Sequence, residues 1–114
     1  MDSVLVVDDD PAFCEQLVAF LEELLPDSRI VTVGDGNAAL TQALELRPRR
    51  VLLDVSMPGP NGVRVATALA QALPATQIVL LSGTEDVPER DLPPGAGFVR
   101  KDEAMESRLR ELLA

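Results

Sequence analysis

The stretch VLVVDDD, residues 4–10, runs from four apolar residues directly into three consecutive carboxylates. An unbroken run of valine and leucine is typical of a strand that is covered on both faces, as in a parallel sheet. Adjacent like charges repel one another, and the repulsion grows where they border apolar surroundings. The stretch therefore predicts a buried strand that ends in an acidic cluster, and such a cluster requires positive charge close by.

Short apolar runs alternate with longer amphipathic ones along the rest of the chain. We predict strands at residues 3–8, 29–33, 49–54, 77–82 and 97–100. Between the strands, apolar residues recur at helical spacing, and prolines at positions 26, 48 and 74 close the first three helices. The predicted apolar stripes are Phe13, Leu17, Phe20, Leu21 and Leu24; Leu40, Ala43 and Leu44; Ala66, Leu69, Ala70 and Leu73; and Met105, Leu109 and Leu112.

The order of these elements is βαβαβαβ, then an irregular proline-rich segment, then βα. Right-handed crossovers on this alternation predict an α/β fold with a doubly wound, open parallel sheet. In such sheets, ligands bind at the carboxyl ends of the strands. The polar residues at those ends should therefore meet at one edge of the sheet: Asp8, Asp9, Asp54, Ser82 and Lys101.

Composition narrows the classes of function. The 114 residues are enough for one domain with one core, and their net charge of −9 argues against nucleic-acid binding. The absence of histidine and the single cysteine exclude histidine bases, a disulfide framework and multi-cysteine zinc sites. Neither a long apolar run nor a signal peptide is evident, so we expect a cytoplasmic protein without a membrane segment.

The predicted cluster has a definite chemistry. Three carboxylates at one point suit a hard divalent cation with oxygen ligands, above all Mg²⁺. With such a cation and the ammonium of Lys101, a phosphoryl group could approach despite the local negative charge. A carboxylate can then attack phosphorus and become an acyl phosphate, and Asp54 is the candidate nucleophile.

At these residues the chain resembles the receiver domain of bacterial two-component response regulators. VVDDD is similar to the acidic pair of that family, and LLDVSMPGPNG to its phosphoacceptor segment D-x-x-M-P-x-x-x-G. IVLLSG resembles its fourth strand, which ends in serine or threonine, and GFVRK its fifth strand, which is followed by a lysine. The resemblance covers essentially the whole chain, residues 1–114, and implies a flavodoxin-like sheet of strand order 2-1-3-4-5.

The resemblance implies a role for each site residue. Asp54 would be phosphorylated by a partner histidine kinase or phosphotransfer protein. Asp9 and Asp54 would bind Mg²⁺ directly, Asp8 would act mainly through bound water, and Ser56 would offer its main-chain carbonyl.

The remaining implied roles concern the response to phosphorylation. Lys101 would pair with the Asp54 carboxylate and then with the phosphoryl oxygens. Ser82 would hydrogen-bond the phosphoryl group and draw its loop inward, and Phe98 would fill the space that this movement vacates. The domain would be a signalling module rather than an enzyme, acting on a C-terminal effector domain or a separate output partner.

The chain departs from the family pattern after the lysine. Asp102 stands where a proline in a cis peptide is common, so we expect a trans bond and a cap for the last helix from Asp102. The aromatic residue is Phe98 rather than tyrosine.

A second departure lies at residues 83–96, where the family has its fourth helix. Pro88, Pro93 and Pro94 leave room for about one helical turn, which alone cannot offset the cost of helix nucleation. We expect a turn or an irregular loop held by Val87 and Leu92 packing inward. Receivers commonly dimerise through the face that includes this helix. Because we expect that face to be flatter and more mobile here, we do not expect phosphorylation-driven dimers of the usual kind.

Other interpretations of the same residues remain. Asp8 and Asp9 could cap a helix, a role better suited to Asp10 before Pro11. A flavin module would need a phosphate loop free of carboxylates, and an aspartyl phosphatase would need a second aspartate where Ser56 stands. The main alternative is a receiver-like interaction module that works without phosphorylation.

Overall fold

A computed structural model describes residues 2–57, 59, 61–84 and 86–114. Pro58 and Pro60 of the segment that resembles the phosphoacceptor motif lie outside the described residues, as do Met1 and Glu85.

The described residues form five strands and four α-helices, with one α-helix after each strand except β4. The strands are β1 (Ser3–Val7), β2 (Arg29–Val33), β3 (Arg50–Asp54), β4 (Gln77–Ser82) and β5 (Gly97–Arg100). The helices are α1 (Pro11–Leu24), α2 (Gly36–Leu46), α3 (Gly62–Ala72) and α4 (Met105–Leu113). The five predicted strands are confirmed to within one residue at their ends. Within the described part of the chain, no helix combines the length and apolar character that crossing a bilayer would require.

The strands form one parallel sheet in the order β2-β1-β3-β4-β5, which confirms the predicted topology. The chain therefore reverses its direction of winding after β2, and β1 lies between β2 and β3. Val7 of β1 pairs with Leu53 of β3, so the residues that follow these two strands emerge side by side. This register places Asp8 next to Asp54.

The helices cover both faces of the sheet. Alternate residues of β1 point to opposite layers: Val4 and Val6 pack on the side of α1 and α4, and Leu5 and Val7 on the side of α2 and α3. All four are 0% exposed. Burying an aliphatic side chain of this size stabilises the fold by about 1.5–3 kcal/mol, so the unbroken apolar run of β1 accounts for its central position.

Short polar residues begin the first three helices. The Asp10 carboxylate accepts hydrogen bonds from the backbone N–H groups of Ala12 (3.0 Å) and Phe13 (3.3 Å), so its predicted capping role before Pro11 is confirmed. Asp35 and Asn61 cap α2 and α3 in the same way. Each cap replaces water as the acceptor for an N–H group that has no partner within the helix.

Two predicted apolar positions are wrong. Leu44 is 52% exposed and Leu112 is 41% exposed, and Leu113 rather than Leu112 is buried against the sheet. Residues three and four apart both lie near one face of a helix, so spacing alone does not choose between them. The rotation of α4 on the sheet selects the stripe formed by Met105, Leu109 and Leu113.

The capping role expected of Asp102 is also wrong. The residue that precedes the first turn of α4 is Ala104, which makes no side-chain cap. The Asp102 carboxylate instead accepts a hydrogen bond from the Ala104 N–H at 2.9 Å, in the turn that directly precedes α4. The peptide bond after Lys101 is trans, as expected.

Where the family pattern has its fourth helix, the described residues between β4 and β5 contain a single 3₁₀ turn, Glu89–Asp91. Val87 and Leu92, on either side of this turn, are partly buried against the core layer of α2 and α3. Both the loss of the helix and the inward packing of these two residues confirm the prediction.

Candidate functional site

Three carboxylates meet at the carboxyl edge of the sheet. Asp8 and Asp9 directly follow β1, and Asp54 is the last residue of β3. One carboxylate oxygen from each of the three lies within 4.8 Å of the others. Asp8 and Asp54 are 4% and 7% exposed, whereas Asp9 is open to solvent. The structure thus brings together the acidic residues that the sequence singled out.

The ammonium of Lys101 lies between two of these carboxylates. Its Nζ is 2.6 Å from Asp8 Oδ2 and 3.5 Å from Asp54 Oδ2. The other Asp8 oxygen, Oδ1, accepts a hydrogen bond from the backbone N–H of Asp10 at 2.9 Å. Lys101 was expected to pair with Asp54, but its shorter contact is with Asp8, because Asp8 is held by that hydrogen bond with its second oxygen towards Nζ.

Burial raises the pKa of the Asp54 carboxyl group above its ordinary value. The Asp8 carboxylate adds to this effect, while the Lys101 ammonium and the N–H of Ser56 oppose it. The Ser56 N–H lies 3.3 Å from Asp54 Oδ1. An ionised Asp54 is therefore costly in this environment, and additional positive charge would stabilise it.

Main-chain hydrogen bonds join the strand ends that form the site. The N–H of Lys101 donates to the Ser82 carbonyl at 2.8 Å, and the N–H of Val55 donates to the Leu81 carbonyl at 2.9 Å. Ser82 is 2% exposed at the end of β4. These bonds hold the residues after β3, β4 and β5 in one line along the edge of the sheet.

The two remaining predicted residues are Ser56 and Phe98. Ser56 is exposed two residues after the end of β3. Phe98 lies in β5 opposite Leu80 and is partly buried against the layer of α2 and α3. Phe98 is therefore a core-facing residue.

Sequence reasoning missed the contribution of α1 to the site. The ring of Phe13 lies beneath Lys101, with Nζ 4.0 Å from the ring centroid. The thiol of Cys14 donates to the Asp8 carbonyl at 3.5 Å, and burial, followed by the Asp8 carboxylate, raises the pKa of that thiol. The sequence assigns Phe13 only to the apolar stripe of a helix, and no local pattern separates such residues from those that touch a site.

Sequence reasoning also missed the steric role of Gly62. A Cβ atom at this position would lie 2.3 Å from the Asp54 carbonyl oxygen. Glycine therefore allows the start of α3 to approach the end of β3 closely. The spacing of this glycine from Asp54 within the phosphoacceptor-like segment was the signal that could have identified it.

The arrangement of charges has two chemical consequences. The acidic cluster offers only oxygen donors, which fits a hard divalent cation such as Mg²⁺. The ammonium of Lys101 is close enough to stabilise negative charge that develops at Asp54. The edge of the sheet is thus suited to hold a cation and an incoming anionic group side by side.

A family model described as "Response regulator receiver domain" matches residues 4–112. The DNA-binding response regulator MtrA of Mycolicibacterium smegmatis is 43% identical over 73% of this chain and 35% of its own length. The transcriptional regulatory protein TcrX of Mycobacterium tuberculosis is 35% identical over 97% of this chain and 49% of its own length. This chain therefore spans between about a third and a half of these two relatives.

Solved structures show the same relationship. The signal receiver domain of the response regulator NarL from Mycobacterium tuberculosis is 33% identical, with a TM-score of 0.82 over 98% of this chain and 92% of that chain. The response regulator TrrA, in complex with the histidine kinase ThkA, is 27% identical, with a TM-score of 0.77 and full coverage of both chains. Agreement of the family model, the relatives and the sheet order leads to one conclusion: this chain belongs to the response regulator receiver domain family of two-component systems.

Proposed function

We propose that Asp54 accepts a phosphoryl group and that this phosphorylation is the signal the domain transmits. The observation that carries the proposal is the placement of the Asp54 carboxylate, which ends β3 with a lysine ammonium 3.5 Å away and two further carboxylates beside it. A buried carboxylate with a raised pKa is typical of a functional site. The cation beside it would balance the negative charge of the phosphoryl group that the carboxylate accepts.

The proposed reaction forms one bond and breaks one. An oxygen of Asp54 attacks phosphorus, and the bond from phosphorus to the donor group breaks, with its electron pair leaving on that donor. The product at Asp54 is an acyl phosphate. Lys101 balances the charge of the phosphoryl oxygens from its present position near Asp8 and Asp54.

The residues suited to hold Mg²⁺ are Asp9 and Asp54 as direct ligands and Ser56 through its main-chain carbonyl. Asp8 is assigned to water-mediated contact, because both of its oxygens already accept hydrogen bonds from protein donors. A bound Mg²⁺ would supply Lewis-acid stabilisation of phosphoryl oxygens and relieve the repulsion among the carboxylates.

The proposed donor is a sensor histidine kinase or a phosphotransfer protein, in line with the neighbour TrrA, whose structure contains a histidine kinase. Names of relatives such as MtrA include DNA binding, so an output domain of that kind, or a separate output partner, is proposed for the signal here. In the proposed switch, Ser82 hydrogen-bonds the phosphoryl group and Phe98 repacks behind it. We propose a signalling role without turnover of an external substrate.

Intact-protein mass measurement tests the proposal. Incubation with Mg²⁺ and acetyl phosphate or phosphoramidate should add the mass of one phosphoryl group. Asp54→Asn should abolish the addition, and chelation of Mg²⁺ should suppress it. Asp35→Asn is the matched control, because it also removes a carboxylate but retains a good helix cap and lies outside the cluster of Asp8, Asp9 and Asp54. Absence of the added mass in the unaltered protein would contradict the proposal and favour a receiver-like module that binds partners without phosphorylation.

A further inference from the structure

Lys101 has a neighbour that the proposed chemistry does not use. The ring of Phe13, in the first turn of α1, presents its face to Nζ at 4.0 Å from the centroid. An aliphatic side chain at position 13 would fill the same space but would not attract the ammonium electrostatically. Lys101 is also only 18% exposed at its side chain, so water screens this contact weakly.

A cation above an aromatic face is attracted by the negative face of the ring, and the attraction grows when the pair is removed from water. The ring accepts the ammonium without forming a conventional hydrogen bond. The N–H groups of Lys101 therefore stay available for the oxygens of Asp8 and Asp54, at 2.6 and 3.5 Å. The ammonium therefore contacts the ring of Phe13 and the two carboxylates at the same time.

The position of Phe13 is itself held by the cap of α1. The Phe13 N–H donates to the Asp10 carboxylate at 3.3 Å, and the N–H of Asp10 donates to the Asp8 carboxylate at 2.9 Å. The first turn of α1 thus connects the ring below Lys101 with the carboxylate beside it. A ring anchored in this way restricts where the ammonium can lie.

We propose that Phe13 is a positioning residue, which holds the Lys101 ammonium against Asp8 and Asp54 ready for phosphoryl transfer. The proposal rests on the proposed phosphorylation of Asp54 and identifies the residue that prepares its cation. A residue that only filled space at this point could be any apolar side chain of similar volume. Only an aromatic ring has a negative face that attracts the ammonium, so replacing the ring with an aliphatic side chain distinguishes a positioning role from a space-filling one.

The first test uses the fact that Lys101 is the only lysine in the sequence. Selective isotope labelling of lysine gives one set of side-chain resonances, and a ring face beneath Lys101 should shift its terminal methylene protons upfield of an exposed lysine. Phe13→Leu should remove the upfield shift and Phe13→Tyr should retain it. Phe20→Leu is the matched control, because Phe20 lies on the same helix and pairs with Arg110 instead.

The second test is the rate of phosphorylation by acetyl phosphate at saturating Mg²⁺. Phe13→Leu should lower this rate by about threefold to tenfold, the range of a partly desolvated cation–π contact, and Phe13→Tyr should restore it. Phe20→Leu should leave the rate unchanged. If Phe13→Leu fails to fold, pentafluorophenylalanine at position 13 keeps the shape, reverses the polarity of the ring face and should slow the reaction instead.

Equal rates and an unmoved lysine resonance in the phenylalanine, tyrosine and leucine proteins would overturn the proposal. A slow Phe13→Tyr variant would do the same, since tyrosine keeps the ring. Failure of the unaltered protein to accept a phosphoryl group would instead defeat the proposed function. The lysine resonance, measured without phosphorylation, would then decide alone whether Phe13 positions Lys101.

Discussion

Two crossovers of this sheet join adjacent parallel strands in very different ways. Residues 55–76, between β3 and β4, contain α3, whose residues Val65, Ala66 and Leu69 are almost completely buried. Among the described residues of the β4–β5 connection, 83–84 and 86–96, the only regular element is the 3₁₀ turn Glu89–Asp91, and this connection packs through the buried Pro93 and the partly buried Val87 and Leu92. The β3–β4 crossover is therefore part of the core. The β4–β5 connection, residues 83–96, lies over the core as a largely irregular segment, which we call the strap.

β5 pairs in regular register with β4 even though the connection between them is largely irregular. β4 and β5 pair from Val79↔Gly97 to Ser82↔Arg100, and the Lys101 N–H continues the ladder to the Ser82 carbonyl at 2.8 Å. Lys101 is therefore positioned by sheet hydrogen bonds and by α1, although the part of the β4–β5 connection that the structure describes forms only a 3₁₀ turn. In this fold, the surface between β4 and β5 can therefore change shape while the polar residues at the carboxyl edge of the sheet keep their positions.

The largest expected difference between the two crossovers is in their contribution to stability. Leu69→Ala in α3 should lower the free energy of unfolding by about 3–4 kcal/mol, because it leaves a cavity in the buried layer. Leu92→Ala, at a partly buried position of the strap, should lower it by about 1 kcal/mol. Urea denaturation measures both, and equal losses would show that the strap is as much a part of the core as α3.

The glycines near the start of each crossover offer a second contrast. Gly62→Ala should destabilise the fold by about 2–3 kcal/mol, because its Cβ would lie 2.3 Å from the Asp54 carbonyl oxygen and force β3 and α3 apart. Gly83→Ala is the control, since nothing lies within 4 Å of the corresponding Cβ. Its effect should stay within about 0.5 kcal/mol. A well-tolerated Gly62→Ala in thermal melts would contradict the close approach.

Mg²⁺ tests whether the site is independent of the strap. Binding at the acidic cluster should stabilise the protein by about 2.7 kcal/mol at a hundredfold excess over the dissociation constant. Leu92→Ala should gain as much from Mg²⁺ as the unaltered protein, because the strap supplies no predicted ligand. Thermal melts with and without Mg²⁺ provide the measurement. Unchanged midpoints in both proteins would argue against the metal site, and a smaller gain in Leu92→Ala would argue against independence.

Asp54→Asn should stabilise the metal-free protein by about 1 kcal/mol, since it removes a buried charge while keeping the shape. Because the folded state raises the pKa of Asp54, the unaltered protein is favoured by protonation and loses that stability as pH rises through the folded-state pKa. The advantage of the asparagine variant should therefore be full at neutral pH and shrink on acidification. Melts across pH without Mg²⁺ measure it, and a destabilised variant at neutral pH would contradict the cost assigned to ionised Asp54.

The smallest expected effect belongs to the ion pair that ties the strap to β5, between Asp86 and Arg100. The Asp86 side chain is 80% exposed, so solvent screens the pair. Asp86→Asn should change stability by no more than about 0.5 kcal/mol in low-salt denaturation. A larger loss would mean that charge, rather than the packing of Val87 and Leu92, holds the strap in place.

Much of the fold could be predicted because local and global preferences agree. Unbroken apolar runs mark strands with two covered faces, and the alternation with helices leaves few topologies. The reduced helix between β4 and β5 was also predictable, because the prolines in that segment act through their own backbone geometry. The wrong assignments of Leu44 and Leu112 arose where two neighbouring positions fitted the same spacing.

The sequence by itself determined that acidic residues and one lysine would meet at the carboxyl edge, because strand order and direction bring strand ends together regardless of side-chain detail. Only the tertiary structure decided which groups touch there: Lys101 is nearer to Asp8 than to Asp54, and Phe13 lies beneath it. These contacts depend on differences of about one ångström in the placement of α1 and β5. Such differences arise from packing across residues that are distant in the sequence, and no local pattern encodes them.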